Sequence, residues 1–229
     1  MAEVKIAADS GGGSVALKGP ASTTSNAAVN FKLPVADGSS GQYMKTDGSG
    51  NLAFGTVASP KIKEQFYSPC DGSAIALNQG STTLGDVTSS HVPATSFADV
   101  PGSTLAYVPP SGTTNVIYEF TFIFNNKDSD PYCSFVFYID SDEVTQARTS
   151  FGGQYAKGIQ TFKWGINIGG TADTTAGRLA SWTSSKTLKL QAIAYSNTRE
   201  AELFTTGHWT GANTSGVFNC PSIGITAIG

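Results

Sequence analysis

The chain has 229 residues, of which only 14% are charged, and a formal net charge of −3. Ordinary soluble proteins carry roughly 25% charged residues, so this surface is poor in charge and suited to contact with other protein. The scattered lysines form no basic stripe for nucleic acid, and no apolar run is long enough to span a membrane, so neither is an expected partner.

Residues 1–60 are predicted to form short strands separated by turns. They contain 14 large apolar residues, whereas the slightly shorter stretch 113–168 contains 21. A segment with so few large apolar residues buries little apolar surface on its own. Identical chains packed around an axis would supply the missing core. A flexible tail is the alternative, but the alternation at Val29, Phe31 and Leu33 disfavours it. The strand candidates are SVALKG, AAVNFKLPV, QYMKT and LAFGTV.

The segment MKTDGSGNLAFGTV allows two interpretations, a calcium loop or a tight turn. A calcium loop that begins at Asp47 needs glycine at its sixth position and glutamate at its twelfth, where this chain has Leu52 and Ala58. Asp-Gly between two extended runs is typical of a hairpin turn, because glycine tolerates a positive φ. We therefore predict a turn at Asp47 and no metal site.

Residues 61–112 are predicted to contain the first strands of a sandwich. KIKEQFYSPCDGSAIAL begins with alternating apolar residues, and STTLGDVTSSHVPATSFADV is rich in turn residues. Pro109 and Pro110 cannot donate hydrogen bonds to a sheet, so they are expected at an edge or a bend.

From about Thr113 onward, the sequence has a strong period of two in its apolar residues. This period of two indicates strands with one buried face, and no segment keeps a helical period beyond a turn or two. Together with the turn spacing it predicts an all-β fold, an antiparallel sandwich of about eight to ten strands and of jelly-roll size. The terminal SIGITAIG is the last predicted strand. The predicted buried faces are Val116, Tyr118, Phe120, Phe122 and Phe124; Cys133, Phe135, Phe137 and Ile139; Phe162, Trp164, Ile166 and Ile168; and Leu188, Leu190, Ala192 and Ala194.

The cysteines and the first residues indicate a reducing compartment. The chain has an odd number of cysteines, and they lie far apart in the sequence, so free thiols are expected rather than disulfides or a metal site. The three are Cys70, Cys133 and Cys220. MAEVKIAADS has no apolar segment of the signal-peptide type, so no signal peptide is expected.

Two clusters of acidic residues are candidates for ion binding or for acid–base catalysis. Asp128 with Asp130, and Asp140 with Asp142 and Glu143, could hold calcium or supply the two carboxylates of a glycosidase. Both clusters follow predicted strands, where aspartate is a common turn residue. Turn formation is the favoured interpretation, and ion binding stays open.

Trp182, His208 and Trp209 are the candidate receptor-binding residues. Exposed tryptophan rings can stack on sugars, and these residues lie in loops predicted from NIGGTADTTAGRLASW and TTGHWTG. The favoured alternative is that the tryptophans pack in the sandwich and that His208 is an ordinary loop residue. No nucleophile motif accompanies the two histidines, so no catalytic residue and no cofactor is expected.

Two regions together resemble a known family. GSVALKGPASTTSNAAVNFKLPVADGSSGQYMKTDGSGNLAFGTV resembles the N-terminal module of many marine bacteriophage tail fibres and related virion proteins. VIYEFTF, FYIDSDEVTQAR, TFKWGINIGGTADTTAGRLASWTSSKTLKLQA and IGITAIG resemble the β-sandwich found beside that module. The resemblance implies a trimeric jelly-roll head, similar to tumour-necrosis-factor-like folds, on a β-structured stem. It carries no catalytic motif.

The expected protein is a non-enzymatic virion protein, a short trimeric tail fibre or spike exposed on the particle. Residues 1–60 would form a β-hairpin stem that docks on tail, baseplate or capsid proteins, and residues 61–229 would form the head that meets a host-surface glycan or protein. A capsid-decorating or head-fibre protein is the alternative within this class. A small carbohydrate-active enzyme is the rival from another class.

Overall fold

The computed structural model describes residues 32–56, 61–128, 130–207 and 216–229 with their side chains. Of residues 3–7, 14–18, 208–209 and 214–215 it describes the backbone alone. The chain divides into two compact units, Met1–Ser59 and Pro60–Gly229. The described residues form strands, turns and one 3-10 turn at Thr145–Ala147, with no α-helix among them, so the predicted all-β class is confirmed. No helix in this part of the chain is long and apolar enough to cross a membrane.

The described residues of the first unit include two antiparallel strand pairs. Their strands are β1 (Glu3–Ala7) with β2 (Ser14–Lys18), and β3 (Tyr43–Thr46) with β4 (Leu52–Gly55). Three predicted strands, SVALKG, QYMKT and LAFGTV, are confirmed by these positions.

The predicted strand AAVNFKLPV is wrong over the part that the structure describes. Lys32 makes only an isolated bridge to Asn51, and Leu33 is 69% exposed. Pro34 explains the interruption, because its nitrogen has no hydrogen to donate to a ladder. Val29 and Phe31 lie outside the described residues.

The second unit contains fifteen strands among its described residues. They are β5 (Ile62–Pro69), β6 (Ala74–Leu77), β7 (Gly80–Thr83), β8 (Ala98–Asp99), β9 (Leu105–Tyr107), β10 (Asn115–Asn126), β11 (Tyr132–Ile139), β12 (Asp142–Glu143), β13 (Thr149–Gly152), β14 (Gly158–Asn167), β15 (Lys186–Ala194), β16 (Ala201–Leu203), β17 (Thr205–Trp209), β18 (Thr214–Phe218) and β19 (Ser222–Ile228). Pro109 and Pro110 lie in the bend between β9 and β10, as predicted.

Two antiparallel sheets form the body of this unit. The first sheet has the order β14-β10-β19-β5, with β16 paired to the end of β10. The second sheet has the order β12-β11-β15-β8, with β13 also paired to β11 and β9 to β15. β6 with β7 and β17 with β18 form separate hairpins.

The two sheets pack face to face through aromatic side chains. Tyr118 of β10 and Phe137 of β11 have ring centroids 5.0 Å apart, and those of Phe122 and Phe135 are 5.6 Å apart. The predicted faces of β10, β11 and β15 are buried throughout. Phe162 and Ile166 of β14 are buried. The other two residues of this predicted face, Trp164 and Ile168, are half-buried and pack against the core. The sequence pattern therefore predicted the core correctly, and each buried phenylalanine contributes about 1.5–3 kcal/mol.

The β6–β7 hairpin closes one side of the body. Its tip residue Gln79 donates from Nε2 to the carbonyl oxygen of Ala106 beside the second sheet, at 3.1 Å. Glu64 of the first sheet accepts hydrogen bonds from the backbone N–H of Asn78 and, at 2.7 Å, from the hydroxyl of Tyr107. These contacts tie the edges of the two sheets together.

Candidate functional site

The Asp47 loop is a turn that uses its own carboxylate. Asp47 Oδ1 accepts hydrogen bonds from the backbone N–H of Ser49 at 2.7 Å and of Asn51 at 3.2 Å, and Oδ2 accepts one from Asn51 Nδ2 at 2.6 Å. The Asn51 side chain and the Ser49 N–H lower the pKa of Asp47, because they stabilise its ionised form. The predicted turn is confirmed, and both carboxylate oxygens already have partners within the loop.

The first acidic cluster is engaged in backbone and ion-pair contacts. Asp128 Oδ2 accepts the backbone N–H of Glu200 at 2.7 Å, and Asp130 Oδ2 accepts a hydrogen bond from Arg199 Nη1 at 2.7 Å. These bonds hold the loop after β10 to the segment before β16.

The second acidic cluster is engaged in the same way. Asp140 accepts hydrogen bonds from Lys186 Nζ at 2.7 Å and from the Thr187 N–H at 2.8 Å, and Glu143 accepts one from Arg148 Nε at 2.6 Å. Partial burial alone would raise the pKa of Asp140, but the hydrogen bonds from Lys186 and from the Thr187 N–H outweigh burial and lower this pKa. Among the described residues, no group of three or more acidic, histidine or cysteine side chains has a metal-binding arrangement.

Trp182 lies in the core rather than on the surface. It is 5% exposed, its indole N–H donates to the carbonyl oxygen of Tyr107 at 3.2 Å, and its ring meets the Tyr107 ring edge-on at 5.8 Å. A ring in this position has no open face on which a sugar could stack. Its burial therefore agrees with the favoured interpretation, a packing role for Trp182, rather than with receptor binding.

His208 and Trp209 lie on β17, at the tip of the hairpin that it forms with β18. Their side chains lie outside the described residues. The hairpin leaves the first sheet beside Ile123, near the end of β10, whereas Trp182 packs on Tyr107, which pairs with the beginning of β15 at the opposite end of the body. The structure therefore does not bring the three candidate residues together.

A surface that the sequence analysis missed is the outer face of the second sheet. Phe97, Tyr132 and Tyr195 are all exposed there, Tyr195 at 70%. The alternating pattern contained a signal for two of them, because Tyr132 precedes the buried Cys133 and Tyr195 follows the buried Ala194. A period of two places both rings on the side away from the core.

A groove of about 380 Å³ crosses this face. Ser134 and Val136 of β11 form its floor, while Phe97, Arg148 and Ser150 stand around it. Its volume lies near the lower end of the roughly 300–1,000 Å³ that is usual for small-molecule sites. We call this feature the outer groove.

The polar groups beside the outer groove are fixed in place. Gln191 pairs across the sheet with Val136 and donates from Nε2 to Asp99 Oδ1 at 2.8 Å. Lys189 Nζ lies 2.9 Å from the same oxygen of Asp99. Burial alone would raise the pKa of Asp99, but the hydrogen bonds from Lys189 and Gln191 outweigh it and lower the pKa. The carboxylate therefore stays ionised and orients both neighbours.

Two tyrosines lie on the same face as the groove, at the border of the sheet where β11 begins and β15 ends. The Tyr132 ring lies over Gly152, where an added Cβ would come within 2.4 Å of it, and its hydroxyl is 3.4 Å from Ser150 Oγ. Tyr195 meets Tyr132 edge-on, with ring centroids 6.2 Å apart, and the Arg199 guanidinium lies 5.7 Å from the Tyr195 ring centroid. Aromatic and polar groups thus alternate along this border.

No family model matches the sequence, and no curated protein is similar enough to count as a relative. The fold defines an all-β protein with a two-sheet body and a smaller β-hairpin unit. Its function is therefore inferred from the surfaces that these two units expose.

Proposed function

We propose that the protein is a structural component of a bacteriophage particle, a short trimeric tail fibre or spike. The first unit docks on other virion proteins, and the second attaches to a glycan or protein of the host surface. The protein acts without catalysis and is exposed on the assembled particle. The family resemblance suggests this role, and the structure supplies three supporting features.

The observation that carries the proposal is the open surface of the first unit. Across residues 32–56 only Gly55 is buried, and the larger apolar side chains stay in contact with water. Such side chains favour a protein partner, because burying them removes apolar area from water. A docking segment that is completed by sister chains and by the virion fits this need. The exposed side chains are Leu33, Val35, Tyr43 and Met44.

The strand order of the second unit supports a jelly roll. We set aside the short β16 and the β6–β7 and β17–β18 hairpins, and we count β8 with β9 as one interrupted strand and β12 with β13 as another. Eight principal strands then remain among the described residues. The first pairs with the eighth, the second with the seventh, the third with the sixth and the fourth with the fifth. An eight-stranded hairpin folded over on itself pairs in this order, which is how a jelly roll is built.

The outer face of the first sheet supports association of identical chains. Ile62, Tyr67 and Ile159 are exposed on it, and Glu119 with Lys163, 3.0 Å apart, form its one ion pair among the described residues. A sheet face so poor in charge loses little hydration energy when a second chain covers it. The proposed trimer would use this face.

Two measurements test the proposal. Light scattering on the purified protein should give about three times the 23.7 kDa chain mass, as a cyclic trimer requires. Mass spectrometry of phage particles should find the protein at the low copy number of a tail appendage. A folded monomer at micromolar concentration would contradict the trimer. A copy number that matches the capsid lattice would favour the decoration role, and absence from particles would overturn the virion assignment.

A further inference from the structure

We propose that the outer groove binds an uncharged glycan, with Phe97 and Tyr195 as stacking surfaces and Ser134, Ser150 and Gln191 as polar contacts. The inference deepens the attachment role and rests on it for its biological meaning. The binding itself is a property of the second unit and can be measured on the purified protein.

The chemistry of the groove matches the two kinds of surface that a pyranose ring presents. The C–H faces of the ring are apolar and pack on aromatic rings such as Tyr195, which is 70% exposed, and Phe97. The hydroxyl rim needs donors and acceptors, which Ser134 and Ser150 supply at the groove and Gln191 supplies beside its floor. A few polar groups among apolar ones is the usual composition of a small-ligand site.

The charge of this face favours a neutral glycan over an acidic one. Arginine and lysine side chains described on this face have carboxylate partners within 3 Å, so an anionic sugar at these cations would have to displace that carboxylate or remain without a counter-charge. Hydroxyl groups can instead bind to such a fixed pair without breaking it. The pairs are Arg148 with Glu143, Lys189 with Asp99, and Arg199 with Asp130.

The groove is prepared for a ligand before one arrives. Ser134 and Ser150 lie directly opposite each other on paired strands, and Asp99 holds the Gln191 amide at 2.8 Å. Fixed side chains lose little conformational entropy when they bind, so a small ligand can bind measurably.

The experiment is a panel of immobilised oligosaccharides that contains neutral hexose glycans and their sialylated or sulfated counterparts. The full-length protein should bind at least one neutral glycan and should bind the acidic counterpart more weakly. Saturation-transfer NMR with the bound neutral glycan in free form should place the contact on aromatic protons. Phe97→Ala and Tyr195→Ala should each weaken binding about tenfold or more, as expected for aromatic anchors of a binding site.

Two further variants separate binding from folding. Gln191→Leu keeps the size of the side chain but removes its amide, so binding should weaken while the melting temperature stays close to that of the parent. Tyr155→Ala removes an exposed tyrosine from the turn between β13 and β14, away from the residues that line the groove and from the first unit, and is the matched control, which should bind as the parent does. Light scattering should give the same mass for every variant compared.

Three results would overturn the inference: binding to acidic glycans alone, an equal loss of binding in Tyr155→Ala and Tyr195→Ala, or no neutral glycan bound at millimolar concentration in the NMR measurement. None of these results bears on whether the protein is found in phage particles. Failure of the glycan site and failure of the virion assignment can therefore be told apart.

Discussion

Phe137 of β11 is fully buried, with its ring 5.0 Å from that of Tyr118 in the facing sheet, whereas Tyr43 and Met44 of β3 in the first unit are exposed. Both segments are antiparallel strands that the sequence pattern predicted. The difference is that β11 faces a second sheet, and a two-stranded hairpin such as β3–β4 is marginal without one. Alternation therefore predicts a strand, but burial also requires an opposing layer, which we propose other chains supply for the first unit.

The largest expected effect comes from a matched pair of aromatic substitutions, one in each unit. Phe137→Ala should lower the free energy of unfolding by about 3–5 kcal/mol, because it leaves a cavity between the two sheets. Tyr43→Ala, at a position exposed within one chain, should change it by less than about 0.5 kcal/mol when the protein is dilute enough for the trimer to dissociate. Urea unfolding followed by circular dichroism measures both. Similar losses for the two variants would show that the first unit has a core after all.

A second pair of substitutions compares two glycines with nearly the same backbone conformation. Gly102 has φ of 79° and Gly48 has φ of 82°. A Cβ at Gly102 would lie 2.7 Å from Val87 Cγ2 and 2.9 Å from Cys70 Cβ, whereas a Cβ at Gly48 would meet nothing within 4 Å.

Gly102→Ala should therefore lower the free energy of unfolding by about 2–4 kcal/mol, because the strain of a left-handed backbone and the overpacking by the new methyl group add together. Gly48→Ala should cost only the strain, about 1–2 kcal/mol. Thermal unfolding of both variants tests the difference. Equal shifts in melting temperature would contradict the view that packing density separates the two units.

A smaller effect is expected from pH through His91. Its ring is half-buried and stacks on Phe204 at 6.3 Å, and burial lowers the pKa of His91 below its ordinary 6.5. Between the lowered value and 6.5 the unfolded chain binds more protons than the folded one, so stability falls as pH falls through this window. His91→Gln should flatten the melting temperature between pH 7 and pH 5. A variant with the same pH slope as the parent would assign the effect to another group.

The sequence predicted those parts of the fold in which neighbouring residues decide the outcome. The buried face of β10 follows from alternation alone, and the Asp47 turn follows from Asp-Gly. Burial of Trp182 was the favoured interpretation, but it rested on the general tendency of tryptophan to pack, because this residue lies outside any strand and the periodic pattern does not apply to it. Leu33 was misassigned because the interruption at Pro34 outweighed the alternation.

The outer groove could be predicted only in part. The pattern placed Tyr132 and Tyr195 outward, but their closeness depends on the pairing of β11 with β15, and that register is set by packing between distant segments. Phe97 comes from a turn-rich stretch with no periodic signal. A site assembled from four separated segments therefore becomes visible only when the register is known.

A small effect on stability is expected from removing the whole first unit. Every residue of the hydrophobic core identified among the described residues lies between Cys70 and Ala227, and Lys61 is held by two backbone hydrogen bonds to Gly229, at 2.8 and 3.0 Å. A protein that begins at Lys61 keeps all of these contacts. It should remain soluble and rich in β-structure, with a melting temperature within about 4 °C of the full chain, a shift that corresponds to about 1 kcal/mol for a domain of this size.

The same truncation should have a decisive effect on assembly. Without residues 1–60 the protein should still bind host cells if the second unit is the attachment head, but it should not be incorporated into particles. Residues 1–60 fused to an unrelated trimer should be incorporated, because the exposed apolar side chains of that unit are the proposed docking surface. Circular dichroism, thermal unfolding and mass spectrometry of particles measure these outcomes. A truncated protein that still assembles onto particles would place docking in the second unit and make capsid decoration by that unit the better assignment.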